Sequence, residues 1–145
     1  AWYGAYGEGW ALYSELLGKE LGLYTDPYQY MGALGDEIHR AVRLVVDVAM
    51  HEKKMTREQA IKYMMDNEAI TEQGATAEIE RYIAIPAQAL SYKTGAMVIR
   101  QLRTRYTNDL GNKFNIAAFH DEVLKDGCMP LDVFQRKMDS WEMAQ

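Results

Sequence analysis

Four ionisable residues, Arg40, Arg43, Asp47 and His51, follow one another at intervals of three, four and four. On an α-helix these intervals stack side chains on one face, turn upon turn. Asp47, lying between Arg43 and His51, could hold both in a hydrogen-bonded ladder. The same spacing also suits a solvated face laced with ion pairs, each worth about 0.3 kcal/mol. The apolar residues Leu44, Val45 and Val48 beside it point to a helix buried on much of its surface, which favours a buried or functional network. A second group straddles Pro86: Arg81 and Tyr82 before it, Gln88, Ser91, Tyr92 and Lys93 after it. Tyrosine hydroxyls beside a helix break can donate to a developing oxyanion, or each can satisfy one packing hydrogen bond.

A third group opens the chain. Glu8-Gly9-Trp10-Ala11-Leu12-Tyr13-Ser14-Glu15 sets two carboxylates seven residues apart, about two helical turns, on roughly the same side. A carboxylate beside Trp10 and Leu12 is either solvated at a helix edge or held by a partner, and a metal ion is one such partner. The histidines offer little support within the chain. His39, His51 and His120 include no pair four apart, and His51-Glu52-Lys53-Lys54-Met55 begins like the zinc motif HExxH but ends in Met. His39 reads as a packed or half-exposed helix residue, and His120, next to Asp121 and Glu122, as a surface one. Cys128 is the lone cysteine, so no internal disulfide forms, and it reads as an ordinary thiol near a turn. There is no glycine-rich phosphate loop, CxxC pair or nucleophile elbow.

The elements that must carry these groups are all helical. Apolar residues recur at helical period from Trp10 to Leu21. Asp26-Pro27 caps and starts a long helix from about Pro27 to Glu52, in which Gly32 and Gly35 would permit a neighbour to pack closely. Thr56-Arg57-Glu58-Gln59 forms a capping box for a helix to about Asn67. A helix from Thr76 through Ile83 follows, broken at Ile85-Pro86. Pro86 then suits the first turn of a helix from Ala87 to Asp109 closed by Gly111. Asn115 to Lys125, ending at Gly127, and a last helix from Pro130-Leu131-Asp132 complete an all-α bundle of six or seven helices.

With 145 residues, 48% of them hydrophobic and 26% charged, the chain suits a single helical domain or fragment with a real core. A net charge of -5 without any basic block argues against nucleic acid as a partner. No apolar run reaches the ~20 residues that a membrane span needs.

Taken in order, the blocks resemble the bacterial DUF885 family, helical proteins similar to gluzincin-type zinc metallopeptidases. The resemblance rests on Glu8 to Glu15, then on Gly22-Leu23-Tyr24, Asp26-Pro27-Tyr28, Arg40, Arg43-Leu44-Val45-Val46-Asp47 and His51. It continues through Thr56-Arg57-Glu58-Gln59-Ala60, Arg81-Tyr82-Ile83, Pro86, Gln88-Ala89-Leu90, Tyr92-Lys93 and Phe119-His120-Asp121. It implies an HExxH-like helix upstream of Glu8, whose histidines would hold zinc together with Glu8 as third ligand. By analogy with zinc peptidases, Tyr82 and Tyr92 would stabilise the oxyanion. Asp47 and His51 would complete the catalytic set, and Arg40, Arg43 and Gln88 would bind a peptide substrate.

The histidine pair is absent and the chain opens at Ala1-Trp2-Tyr3. The expectation is therefore the C-terminal half of a larger fold, inactive alone, with zinc only in the intact protein. The partner would be the N-terminal half of the same protein, with a homodimer of the fragment through the face that half covers as a further possibility. A non-enzymatic helical interaction module is the alternative. Relatives are often exported lipoproteins, which implies a periplasmic or exported location. Position 87 carries Ala where the family is expected to place Gly.

Overall fold

The computed structural model describes residues 2–145, with seven α-helices and no strand among them. The helices are α1 (Gly4–Glu20), α2 (Pro27–Glu52), α3 (Arg57–Asn67), α4 (Glu72–Ala84), α5 (Ser91–Leu110), α6 (Ile116–Leu124) and α7 (Leu131–Glu142). Short 3-10 turns at Gln88–Leu90 and Gly111–Lys113 lead into and out of α5. The all-α bundle expected from the sequence is therefore observed.

Most boundaries follow local chemistry. Asp26 caps α2 through the Tyr28 N–H, with Gln29 reaching back to the cap. Thr56 and Gln59 form the reciprocal box that opens α3. Each such cap is worth about 1 kcal/mol. Gly111 and Gly127 take positive φ, 52° and 72°, where a Cβ would be strained.

Three boundaries differ from the sequence expectation. Helix α1 starts at Gly4 rather than Trp10, because Gly9 lies against the backbone of α5 and packing offsets its low propensity. Helix α4 starts at Glu72 rather than Thr76, since Thr71 accepts from the Gly74 N–H and caps it earlier. Pro86 does not open a long helix. Ala87 adopts φ 68°, the next three residues form a 3-10 turn, and α5 begins at Ser91.

Two cores result. Helices α1, α5, α6 and α7 enclose Leu12, Tyr13, Ile99, Tyr106, Phe119 and Phe134, among others. Helices α2, α3 and α4, with the turn after Pro86, enclose Val46, Met64, Ala75, Ile79, Tyr82 and Ala89, among others. The backbones of α1 and α5 meet directly: a Cβ on Gly95 would lie 1.7 Å from the Ala5 carbonyl oxygen.

Candidate functional site

The two cores are joined by polar side chains, and there the charged face of α2 meets the chain around Pro86. Arg43 and Asp47 are 3% and 2% exposed, so the solvated-face alternative does not hold for them. Arg43 Nη2 donates to Gln88 Oε1 at 3.0 Å. Its guanidinium carbon sits 5.1 Å from the Tyr82 ring centre and 4.7 Å from that of Tyr92. Arg40 approaches the Tyr92 ring at 5.1 Å. Burial in this way suits arginine, whose weakly hydrated plane stacks on aromatic faces.

The ladder forms only in part. Asp47 does not pair with Arg43. Its two carboxylate oxygens each lie 3.2 Å from the Ala87 N–H and accept from it. This bond holds the left-handed turn that presents Gln88 to Arg43. On its other side, His51 Nδ1 lies 2.8 Å from the Asp47 carbonyl oxygen and 3.3 Å from Oδ1. Both partners are acceptors, so Nδ1 carries the proton, and in the neutral ring Nε2 keeps its lone pair. Here Asp47 fixes a histidine and a turn instead of a histidine and an arginine.

The two tyrosines differ. The phenol of Tyr82 is fully buried and donates to Glu78, which also accepts from Arg81 at 2.5 Å. Burial, and then the Glu78 acceptor, push the Tyr82 phenol well above its usual range. For Glu78, burial pushes upward, but the bonds from Arg81 and Tyr82 outweigh it and the carboxyl stays below its usual range. Tyr92 is half-buried, and its oxygen receives a long bond of 3.4 Å from Gln88 Nε2. Among the described residues its own proton has no acceptor, so Tyr92 is the better placed of the two to donate to a bound group.

Two partners, Glu68 and Glu78, escaped the sequence reading, and His120 was read only as a surface residue. His39 Nδ1 lies 2.7 Å from Glu68 Oε2 and its Nε2 lies 3.7 Å from Glu78, tying α2 to the end of α3 and to α4. No spacing could announce Glu68, which is distant in sequence. Glu78 lies four residues before Tyr82, and that interval was a usable signal. His120 is not a plain surface residue either. Its Nε2 lies 2.7 Å from the Tyr13 hydroxyl and its ring meets Trp10 edge-on. The Tyr13 oxygen also accepts from Arg103 at 3.1 Å.

Glu8 stands apart. It is half-buried on α1 and makes no hydrogen bond or ion pair among the described residues. Among those residues no group of three His, Cys, Asp or Glu side chains could hold a metal ion. The structure thus brings Arg40, Arg43, Asp47, His51, Tyr82, Gln88 and Tyr92 into one neighbourhood and gives Glu8 no bond to any of them.

The family model described as "Bacterial protein of unknown function (DUF885)" matches residues 1–138. The chain belongs to the DUF885 family. A crystal structure described as a "putative lipoprotein" from Colwellia psychrerythraea is 49% identical and superposes with a TM-score of 0.95 over 99% of this chain. The DUF885 chain described here spans 25% of the length of that relative. No curated protein matches. Among the described residues no helix is long and apolar enough to cross a membrane.

Proposed function

We propose that these residues form part of a zinc-dependent peptidase, lining its substrate cleft and supplying Glu8 as one of three protein ligands. The observation that carries this reading is the convergence of buried Arg43 with Gln88 and Tyr92 at the junction of the two cores, with Asp47 holding His51 one turn further along α2. The fit to zinc is partial. A half-buried carboxylate without a partner among the described residues suits a ligand shared with other donors, and those donors would come from elsewhere in the intact protein. When bound, the ion would polarise a peptide carbonyl and lower the pKa of a water.

The remaining steps belong to this chain. The Tyr92 phenol donates to the oxygen on which negative charge develops, and the guanidinium groups of Arg40 and Arg43 beside its ring favour that charge. His51 Nε2 accepts or returns a proton at the edge of the cleft. Asp47 positions both His51 and the Ala87 turn. The Colwellia relative supports an exported, lipoprotein setting for the intact protein. A second reading, a helical interaction module without catalysis, draws on Asp47 and Tyr82, whose polar atoms are already engaged in internal bonds.

Metal analysis of the intact protein separates the two. The peptidase reading expects one zinc per chain, lost in Glu8→Ala with unchanged circular dichroism. A metal-free wild type, or a Glu8→Ala variant with full zinc, would overturn it.

A further inference from the structure

Helix α2 has two apolar faces, and only one of them is covered. Val42 and Val46 enter the core with Arg43 and Asp47. On the opposite side, Met31, Leu34, Ile38, Ala41, Val45 and Val48 follow one another at alternating intervals of three and four. That is a continuous heptad seam. Its large members are open to solvent: Met31 67%, Leu34 47%, Ile38 44%, Val45 41% and Val48 39% exposed. A helix of 26 residues is about 39 Å long, so this face is far more than a scattered exposed leucine. A helix apolar on both sides is one that lies inside a larger protein.

The glycines of the first turns lie off this seam, Gly32 in register with His39 and Val46 and Gly35 with Val42. A Cβ on Gly32 or Gly35 would meet nothing within 4 Å. Each glycine weakens the helix by about 1 kcal/mol relative to alanine, and no contact within these residues accounts for either. The expectation that a neighbour packs closely there is unmet within this chain.

We propose that the outward face of α2 docks a helix from the part of the intact polypeptide lying outside residues 1–145. This rests on the part of the reading above that makes the intact protein longer than these residues, and is independent of zinc. The length of the solved relative supports that occupant, since three-quarters of its chain lies beyond the matched portion. The seam's flanks support it too. The positions beside it are Gly35, Val42 and Ala49 on one side and Glu37, Leu44 and His51 on the other. Glu37 is already held by Lys93 and Arg100, and His51 by Asp47. No free charge pairs are left of the sort that direct helices of separate chains to each other, so the face resembles an internal packing surface.

The test uses the intact protein carrying Val45→Cys, with Leu34→Cys as a second probe and exposed Gln135→Cys as the reference. Maleimide labelling is followed by peptide mass spectrometry, and light scattering gives the particle mass. In the monomeric particle both seam cysteines should label at least about tenfold more slowly than the reference, and equally fast in denaturant. Equal labelling in the native protein would overturn the proposal. So would protection that appears only as the particle doubles in mass, which would assign the face to a second copy. An intact polypeptide no longer than 145 residues would overturn it as well. Zinc content measured on the same samples tests the peptidase reading separately.

Discussion

Ala87 shows how one backbone position organises the site. Its φ of 68° lies in the left-handed region, which costs an L-residue roughly 1 kcal/mol or more. The bond from its N–H to the buried Asp47 carboxylate holds it there, and the turn hands Gln88 to Arg43. The family expectation of glycine at this position now has a physical basis. Ala87→Gly should therefore stabilise the protein by about 1 kcal/mol, read as a higher denaturant midpoint at unchanged m-value. A lower midpoint would mean that the Ala87 methyl contributes packing that outweighs the strain. The spacing of Arg40, Arg43, Asp47 and His51 was legible in the sequence as one face of a helix. That Asp47 turns to Ala87 and not to Arg43 was not legible, because Ala87 is forty residues away and its N–H is freed only by the break at Pro86.

At the scale of elements, the contact between α1 and α5 is set by two glycines. A Cβ on Gly9 would lie 2.5 Å from the Gly95 backbone, and one on Gly95 1.7 Å from the Ala5 oxygen. The obstruction is backbone, so no side chain can rotate away, and the helices would have to separate. Gly95→Ala should destabilise the protein by about 2 kcal/mol or more, seen as a fall in thermal midpoint. A change within about 0.5 kcal/mol would show that the helices can slide apart at little cost. This contact explains why α1 reaches back to Gly4. Propensity alone disfavours Gly4, Gly7 and Gly9 in a helix, and only the neighbouring helix reverses that preference. Capping residues, by contrast, act on their own turn, which is why Asp26 and Thr56 marked their helices correctly from the sequence.

At the scale of the whole molecule, the network around His120 links α1, α5 and α6. The Tyr13 hydroxyl accepts from Arg103, and its own proton is available to His120 Nε2 when that nitrogen is unprotonated. Burial first, and then the Arg103 charge, hold the His120 imidazole below its ordinary value. The unfolded chain therefore takes up a proton at about pH 6.5 that the folded chain refuses. Stability from this source is complete above that pH and declines as pH falls from there toward the lower folded value. The thermal midpoint should drop on acidification below about pH 6.5, and His120→Gln should flatten that part of the profile. Identical slopes for variant and wild type would refute the linkage.

The sequence by itself determined what is local: an all-α bundle of six or seven helices, several of their caps and stops, the family, and the shared face of the charged residues on α2. Helical period and capping chemistry act over a few residues, so they can be read in order along the chain. Tertiary structure alone decided which groups meet. It placed Arg43 between two tyrosines, turned Asp47 toward Ala87, drew His120 beneath Tyr13 and left Glu8 without a partner among the described residues. It also left one apolar face of α2 uncovered, although the sequence suggested a helix buried on much of its surface. Such pairings depend on how helices distant in sequence pack, and packing answers to shape and desolvation across the whole molecule rather than to spacing along it.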